Sequence, residues 1–495
     1  MFIPLSFFGE LGDIEVIEHN GRLHLFHLTI PNHDLIGHAV SDDGLSWEAL
    51  QPALHTGNPG DCDDDQIWTM SVTKRANIFY MLYTALSKKD KGRIQRNCLA
   101  ISKDLIKWKK YHKNPVGQAS PKYYEAAAVR NILLPFVSWR DPKPFYEKGV
   151  YYCVVCGREK TAPVFRRGSF ALMTSTDLIH WKVAKPLFAP KSFYDCECPQ
   201  LFKIGNYYYL FASISEEGSQ RYWFSKEING DYITPPNNVL FSGYSGYTHA
   251  AGRVTMFKGE HIFCCWSSII ADGPSPFGLV QEIGSAVRYF PSPLKISQSA
   301  NGIITLSPYT LWQKYRKSRA KNFSFSDFSL LTKNRKAKFD PETYSLKVKE
   351  GMEIVTNCTK HKNFLLEGII KMDAPAGGLA FNLDDGSMGY FIKLLPYESR
   401  AKLVKHISVG RGTFDWFKYE VRTESFCNLE NIKKQGIAFS LRVVNGEIEF
   451  ALNNTVFLST ISTERTSGFM GFWVDCGEVR IDSFQITEMN VPFNR

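Results

Sequence analysis

Three acidic residues hold equivalent positions in the sequence, each at a similar interval before an apolar, β-like run. They are Asp13, Asp141 and Glu197, which precede the runs RLHLFHL, GVYYCVVCG and NYYYLFAS. One carboxyl group that acts as an acid and a second that acts as nucleophile or base suffice to hydrolyse a glycosidic bond, and a third can hold sugar hydroxyls. The matched positions therefore predict three carboxylates that meet at one site; the alternative is that each only caps a turn.

A repeated pattern, Ser-x-Asp-x-x-x-Trp, indicates which elements position these carboxylates. Three copies begin at Ser41, Ser102 and Ser175, each directly after a short β-like run, and a weaker fourth copy lies around Ser225. The Ser and Asp side chains can bond the backbone of a turn, and the Trp can open the next strand. Repeats whose copies are separated by several short strands are typical of propeller blades. We predict a five-bladed β-propeller over residues 1–305, with the carboxylates at one end of its axis.

The pattern changes after Pro308. A basic stretch over residues 314–321 is predicted to lie in a solvated linker, residues 306–325. Residues 326–495 consist of short alternating runs, and Asn445-Gly446 between two such runs is a strong hairpin signal. The sequence therefore predicts an all-β protein, a five-bladed β-propeller followed by a C-terminal antiparallel β-sandwich that is concanavalin-like.

Charge and cysteine content bear on the partners and the compartment. The formal net charge of +10 is scattered over 495 residues, and no nucleic-acid-binding motif occurs. The N-terminus lacks the basic start of a signal peptide, and no apolar run reaches the ~20 residues needed to span a membrane. Eleven cysteines, an odd number, fit reduced thiols. We predict a cytoplasmic protein with no nucleic-acid or membrane partner, and the oligomeric state stays open.

Two short motifs resemble those of a known enzyme family. Arg140-Asp141-Pro142 and Glu197-Cys198-Pro199 are similar to the Arg-Asp-Pro and Glu-Cys-Pro motifs of glycoside hydrolase family 32, the β-fructofuranosidases among the five-bladed propeller glycosidases. The resemblance implies a retaining, exo-acting enzyme whose substrate is a small carbohydrate, sucrose-like or a short fructan. It implies Asp13 as the nucleophile, Glu197 as the general acid/base and Asp141 as the residue that holds substrate hydroxyls in the transition state.

Further residues are predicted to bind the substrate. The resemblance implies that Arg140 orients Asp141 and the sugar, and it places Asp65 and Trp68 in the cleft. Trp266 and His249, in the last blade, are additional candidates for the cleft lining. The acidic run over residues 61–65 could bind Ca²⁺, but a solvated loop is the preferred interpretation. We predict no metal and no cofactor.

Two departures from the family pattern occur near the predicted nucleophile. The usual Asn-Asp-Pro-Asn-Gly reads Gly12-Asp13-Ile14-Glu15-Val16, and Leu28 stands where a substrate-binding Gln is common. Both changes are expected to touch the pocket that recognises fructose, so the reaction class should be better preserved than the sugar.

Two other functions stay open. An inverting glycosidase of the arabinofuranosidase/xylosidase type would use Asp13 as the base, Glu197 as the acid and Asp141 to modulate that acid. A non-catalytic carbohydrate-binding protein would not need carboxylates at all three positions.

Overall fold

The computed structural model describes residues 10–127, 136–242, 250–270, 286–384, 387–411, 414–462 and 467–493. Within these ranges the protein consists of thirty-four β-strands and five short 3-10 helices, with no α-helix. The helices are Lys88–Asp90, Val164–Arg166, Thr310–Tyr315, Phe325–Asp327 and Pro396–Glu398. None of these described helices has the length and hydropathy of a membrane span.

The first twenty-one strands form five antiparallel sheets, the blades of a propeller, which confirms the predicted fold. Blade 1 contains β1 (Glu10–His19), β2 (Arg22–Ile30), β3 (Leu35–Ser41) and β4 (Glu48–His55). Blade 2 contains β5 (Gln66–Arg75), β6 (Ile78–Leu86), β7 (Arg96–Ser102) and β8 (Trp108–Lys110). Blade 3 contains β9 (Trp139–Glu147), β10 (Val150–Arg158), β11 (Gly168–Ser175) and β12 (Lys182–Phe188). Blade 4 contains β13 (Glu197–Ile204), β14 (Tyr207–Ile214), β15 (Ser219–Ser225) and β16 (Val239–Ser242). Blade 5 contains β17 (Ala250–Phe257), β18 (Glu260–Ile270), β19 (Ala286–Tyr289), β20 (Leu294–Gln298) and β21 (Ile304–Ser307). The first strands of the blades contact one another around the axis.

The Ser-x-Asp-x-x-x-Trp repeat closes the turn between the third and fourth strands of blades 1, 2 and 3. In blade 1, Ser41 Oγ accepts a hydrogen bond from Gly44 N at 2.8 Å. Asp43 Oδ1 accepts from the backbone N–H groups of Leu45 and Ser46, each at 2.8 Å. Trp47 Nε1 then donates to Gly44 O at 3.1 Å. The copies in blades 2 and 3 make the same bonds. Every bond of this turn is local, so the repeat is visible in the sequence.

The remaining thirteen strands form a second, continuous hydrogen-bonded network. They are β22 (Lys321–Asn322), β23 (Phe328–Leu330), β24 (Ala337–Asp340), β25 (Ser345–Asn357), β26 (Phe364–Asp373), β27 (Ala376–Leu383), β28 (Tyr390–Leu395), β29 (Arg400–Arg411), β30 (Phe414–Phe426), β31 (Ile437–Val444), β32 (Glu447–Leu452), β33 (Thr455–Ile461) and β34 (Phe469–Glu488). The 20-residue strand β34 lies first between β25 and β27 and then beside β26, and so joins two layers. Apolar residues from both layers, such as Ile392 and Leu441, share one core. This is the antiparallel sandwich that the alternating runs predict.

The connection between the two parts is packed against blade 1. Lys314 Nζ pairs with Asp43 Oδ2, and Tyr315 OH donates to the same oxygen at 2.7 Å. Trp312 is 6% exposed and lies in an apolar cluster with residues of blade 1. These contacts anchor the first half of the segment 306–325 to blade 1, while the side chain of Lys314 itself is 47% exposed. The domain limits themselves stay a prediction.

Candidate active site

The first strand of every blade carries a β-bulge at an equivalent position. The bulges interrupt the register of β1, β5, β9, β13 and β17 with the second strands of their blades. The residues at these bulges are Asp13, Thr69, Asp141, Cys198 and Ala251. A bulge adds a residue to one strand and re-aims a side chain. The five blades therefore deliver five residues to the same end of the axis.

Three of these residues have a left-handed backbone conformation. The φ angles of Asp141, Cys198 and Ala251 are +61°, +47° and +51°. Such a conformation costs a non-glycine residue about 1–3 kcal/mol, and residues of this kind cluster at functional sites. Three left-handed residues therefore lie where the predicted carboxylates meet.

Asp13 is held by residues from three other blades. Thr69 Oγ1 donates to Asp13 Oδ2 at 2.5 Å, and Trp266 Nε1 donates to Asp13 Oδ1 at 3.0 Å. The thiol of Cys198 lies 3.5 Å from Asp13 Oδ2. Oδ2 thus faces two donors and Oδ1 one, which fixes the orientation of the carboxylate and leaves Oδ1 a second lone pair.

Asp141 lies deeper in the site, with 2% of its surface exposed. Its backbone N–H donates to Thr84 Oγ1 at 2.9 Å, and its Oδ2 accepts from Cys198 N at 2.8 Å. Oδ1 is buried and accepts no hydrogen bond from any residue that the structure describes. Burial raises the pKa of Asp141 to about 6, Arg140 opposes the rise, and Asp13 adds to it. Asp141 thus offers a free buried acceptor, which a ligand hydroxyl can satisfy.

Arg140 connects the carboxylates of blades 3 and 4. One nitrogen, Nη2, donates to Glu197 Oε1 at 2.7 Å and to Asp195 Oδ2 at 2.8 Å, while Nε lies 3.6 Å from Asp141 Oδ2. Arg158 in turn donates two hydrogen bonds to Asp195, from Nε to Oδ1 at 2.9 Å and from Nη2 to Oδ2 at 3.1 Å. A fixed guanidinium of this kind sets the positions of several carboxylates at once.

Glu197 is more accessible than Asp141. Its side chain is 27% exposed, compared with 2% for the side chain of Asp141. Ser215 Oγ donates to Oε2, and Arg140 occupies Oε1. An exposed carboxyl group suits proton exchange with a leaving group and with water.

The comparisons with known proteins agree with this geometry. The family model of the glycosyl hydrolases family 32 N-terminal domain matches residues 14–272, more than half of the chain. The chain belongs to glycoside hydrolase family 32. Among curated proteins it is similar to raffinose invertase of Escherichia coli, with 28% identity over 256 residues that cover 49% of this chain and 47% of that protein. It is also similar to sucrose-6-phosphate hydrolase of Zymomonas mobilis, with 26% identity over 273 residues and half of each chain covered, at 50%. The chain thus spans about half the length of these family 32 relatives.

Solved structures show the same fold over the whole chain. Fructan 1-exohydrolase IIa from Cichorium intybus superposes with a TM-score of 0.70 at 18% identity and covers 100% of this chain and 97% of that one. Sucrose-6-phosphate hydrolase from Lactobacillus gasseri gives a TM-score of 0.67 at 16% identity, with 97% and 91% covered. At these identities the likeness establishes the two-part family 32 architecture.

The structure brings two of the four predicted substrate-binding residues into contact with the carboxylates. They are Arg140 and Trp266. Trp68 lies beside Thr69 on β5, where its ring is edge-on to His33 at 5.2 Å. Asp65 precedes Thr69 by four residues, which corresponds to roughly 13 Å along an extended strand. Among the described residues, Asp65 makes no hydrogen bond to any of the three carboxylates. His249 lies outside the described residues.

Several residues that hold the site were not singled out from the sequence. They are Thr69, Thr84, Arg158, Asp195, Cys198 and Ser215. Two of them carry a signal that could have been used: Cys198 lies inside the Glu-Cys-Pro motif, and Asp195 precedes Glu197 by two residues. Thr69, Thr84 and Arg158 come from strands whose sequence reads as ordinary packing, and Ser215 comes from the turn after β14.

Two of the residues that depart from the family 32 pattern, Ile14 and Leu28, pack in apolar clusters. Ile14 and Leu28 are 0% and 3% exposed and belong to apolar clusters. Low exposure does not test contact with the sugar, because Asp141 is buried to the same extent, so the expectation that both departures touch the sugar pocket stays a prediction. A Cβ at Gly12 would lie 2.9 Å from Leu28 Cβ and from Ile30 Cδ1, so glycine at residue 12 and leucine at residue 28 fit as a pair.

One group of side chains in the described residues has the spacing of a metal site. Ligand atoms of Asp13, Asp141 and Cys198 all lie within 4.8 Å of one another. Hydrogen bonds from Thr69 and Trp266 already engage both oxygens of Asp13, and the N–H of Cys198 engages Asp141 Oδ2. Every oxygen of the two carboxylates except Asp141 Oδ1 thus already accepts a hydrogen bond from the protein, and we assign no metal to the group.

Proposed function

We propose that this chain is a retaining, exo-acting β-fructofuranosidase or related furanosidase that hydrolyses sucrose-like or short fructan substrates. The observation that carries the proposal is the convergence of Asp13, Asp141 and Glu197 from three blades, with a free buried acceptor on Asp141. Membership of family 32 and similarity to an invertase and a sucrose-6-phosphate hydrolase support the same substrate class.

Each side chain has a distinct part in the proposed reaction. Asp13 attacks the anomeric carbon while Glu197 gives its proton to the leaving oxygen, which yields a glycosyl ester on Asp13. Glu197 then takes a proton from water, and this water releases the sugar from the ester. Asp141 accepts hydrogen bonds from sugar hydroxyls through Oδ1, and Arg140 keeps Asp141 and Glu197 in place. Trp266 and Thr69 hold the attacking carboxylate.

The stereochemical outcome tests this proposal. Incubation with sucrose in dilute methanol should give methyl β-fructofuranoside, identified by NMR, because a retaining enzyme passes through a covalent intermediate that methanol can intercept. An inverted product would replace the retaining mechanism by the inverting one with the same three carboxylates. Binding of sugars without any turnover, by a correctly folded protein, would indicate a carbohydrate-binding protein instead.

Variants assign the roles. Asp13→Ala should abolish formation of the covalent intermediate, and Glu197→Gln should spare the first step for aryl fructosides with very good leaving groups. The matched control is Asp384→Ala in the sandwich, which should leave turnover intact because Asp384 lies outside the propeller. Loss of turnover in a folded Asp384→Ala protein would contradict a purely supporting role for the sandwich. Asp385, the other residue considered for this control, lies outside the described residues.

We further propose that the protein works in the cytoplasm. All eleven cysteines are free thiols, and eight of them are buried. Free thiols in this number are typical of a reducing compartment. Cell fractionation with an activity assay tests the location.

A further inference from the structure

A second ring of polar side chains lies one layer below the bulges. It consists of the residues two positions after each bulge residue: Glu15, Ser71, Lys143, Gln200 and Arg253. Four of them are between 0% and 4% exposed, and the side chain of Lys143 is 12% exposed. Their contacts cross between blades, since Ser71 Oγ donates to Pro142 O and Gln200 Nε2 donates to Val254 O at 2.7 Å. Side chains therefore close the propeller axis directly beneath the predicted active site.

The charged members of this ring form one ion network. Lys143 Nζ pairs with Glu15 Oε1, and Arg253 Nε lies 3.2 Å from Glu15 Oε2. Glu15 is 0% exposed. A buried carboxylate is costly unless cations pair with it, and here two cations from two other blades do so. The network carries one positive charge in excess and presents it to the underside of the site.

Arg253 connects this network to the carboxylates through one residue. Its Nη1 donates to Cys198 O at 2.7 Å, and Cys198 N donates to Asp141 Oδ2 at 2.8 Å. The thiol of Cys198 also lies 3.5 Å from Asp13 Oδ2. Because Cys198 has a left-handed φ of +47°, its orientation depends on such contacts rather than on the intrinsic preference of the backbone. Lys143 makes no bond to Cys198 among the described contacts.

We propose that Arg253 is a positioning residue for the reaction: held by Glu15, it fixes the Cys198 peptide that holds Asp141, and it places positive charge behind Asp13 and Asp141. This inference rests on the proposed function. Arg253 acts through Cys198 and does not itself touch the substrate.

The electrostatic part of the proposal can be sized from the contacts. The titratable and charged groups that face Asp141 are Asp13 from β1, Cys156 from β10, Arg140 from its own strand, Glu197 and Cys198 from β13, and the Glu15–Lys143–Arg253 network below. Two hydrogen bonds and one residue separate Arg253 Nη1 from Asp141 Oδ2, which limits their distance to about 9 Å. At this distance, loss of one positive charge should move the titration of Asp141 up by about one pH unit.

Three variants of the full-length protein separate positioning from charge. Arg253→Met removes both the charge and the hydrogen bond to Cys198, and Arg253→Lys keeps the charge. Lys143→Met is the matched control, because it removes the same charge from the same network without removing a bond to Cys198. Each variant is assayed for kcat and KM on sucrose across pH, and the titration of Asp141 is followed by carboxyl ¹³C NMR, with Asp141→Asn to assign its signal.

Arg253→Met should lower kcat by about 10²-fold with KM within threefold, since a small misplacement of catalytic groups costs that much. Both Met variants should raise the midpoint of the acid limb by about one pH unit. Lys143→Met should lose much less kcat, and Arg253→Lys should restore the acid limb and part of kcat. Wild-type kcat in Arg253→Met, or an equal loss in Lys143→Met, would overturn the positioning role.

The NMR measurement keeps the two proposals apart. A wild-type protein that turns over no fructoside would refute the proposed function alone. In that case, an Asp141 signal that titrates at the same pH in Arg253→Met as in the wild type would also overturn the inference on Arg253, whereas a raised titration would support it.

Discussion

Asp141→Asn is expected to abolish turnover and, at pH 7, to stabilise the folded protein. Turnover should fall on the order of 10³-fold, because Asn carries no negative charge toward the developing positive charge of the sugar. Stability should rise because burial raises the pKa of Asp141 from its ordinary 3.8 to about 6, against the opposing effect of Arg140. A charged Asp141 is therefore a cost to the fold that the active site requires.

The size of the gain follows from the difference between the two pKa values. A carboxyl group whose pKa is higher in the folded protein stabilises the fold below its unfolded pKa, and this contribution is lost as the pH rises through the folded pKa. A difference of about two pH units corresponds to about 3 kcal/mol. Asn can still accept the hydrogen bond from Cys198 N. We therefore expect a gain in the free energy of unfolding of up to about 3 kcal/mol at pH 7 and almost none at pH 4.

Urea unfolding at pH 4 and pH 7, followed by tryptophan fluorescence, measures this difference. Asp195→Asn is the matched control, because Asp195 is also buried and also contacts Arg140. Burial acts to raise the pKa of Asp195, but Arg140 and Arg158 outweigh it and hold the pKa below its ordinary value. Asp195→Asn should thus lose about 3–5 kcal/mol at pH 7. The reasoning is refuted if Asp141→Asn is destabilised like Asp195→Asn, or if its gain is the same at both pH values.

Three further outcomes are expected. The acid limb of kcat/KM should have its midpoint at about pH 6, with a tenfold loss per pH unit below it, because Asp141 must be ionised; a midpoint below pH 4.5 in initial-rate assays would contradict this. Burial lowers the pKa values of His27 and His38 to about 4 and about 3. The folded protein keeps both rings neutral, so their contribution to stability is complete above pH 6.5 and is lost as the pH falls below it. The free energy of unfolding should fall by about 4 kcal/mol from pH 7 to pH 5 in urea titrations, and a flat profile would exclude this cause. Arg442→Met should cost about 3–5 kcal/mol, measured by urea unfolding, because it leaves two buried glutamates without their shared cation; a neutral effect would count against that ion network.

The blades could be predicted from the sequence because their signals are local. The turn of blade 1 is closed entirely by bonds between Ser41 and Trp47, and its repeat in other blades reveals the architecture. The matched positions of Asp13, Asp141 and Glu197 before their hairpins led to the carboxylates for the same reason: equivalent strands of a propeller point to one axis.

The residues that support the carboxylates could not be predicted in this way. Thr69 and Trp266 bind Asp13 from 56 and 253 residues away in the chain. Thr69 lies in a strand that reads as packing, and the sequence predicts Trp266 only as part of the cleft lining, not as a partner of Asp13. Glu15 reads as the polar member of an alternating strand, yet it is 0% exposed. The pairing of Glu15 with Lys143 and Arg253 can be recognised only in the folded structure, where the closed propeller brings the three residues together. Likewise, the sequence shows Lys314 only as part of a basic run, because the buried carboxylate of blade 1 that it contacts is distant in the chain.

The hydrogen bonds that hold the carboxylates and the apolar packing around Ile14 and Leu28 are separate features of this structure. The carboxylates are fixed by hydrogen bonds from Thr69, Trp266, Arg140 and Cys198, and none of these bonds involves the side chains at the family departures. Ile14 and Leu28 are buried in apolar clusters on the flanks of the bulge. A substitution there changes how β1 packs, whereas the bulge and its hydrogen bonds keep the attacking carboxylate in place. We therefore expect the hydrogen bonds that hold the carboxylates to tolerate substitutions at Ile14 and Leu28, and we propose the buried acceptor of Asp141 and the cleft walls as the source of sugar selectivity.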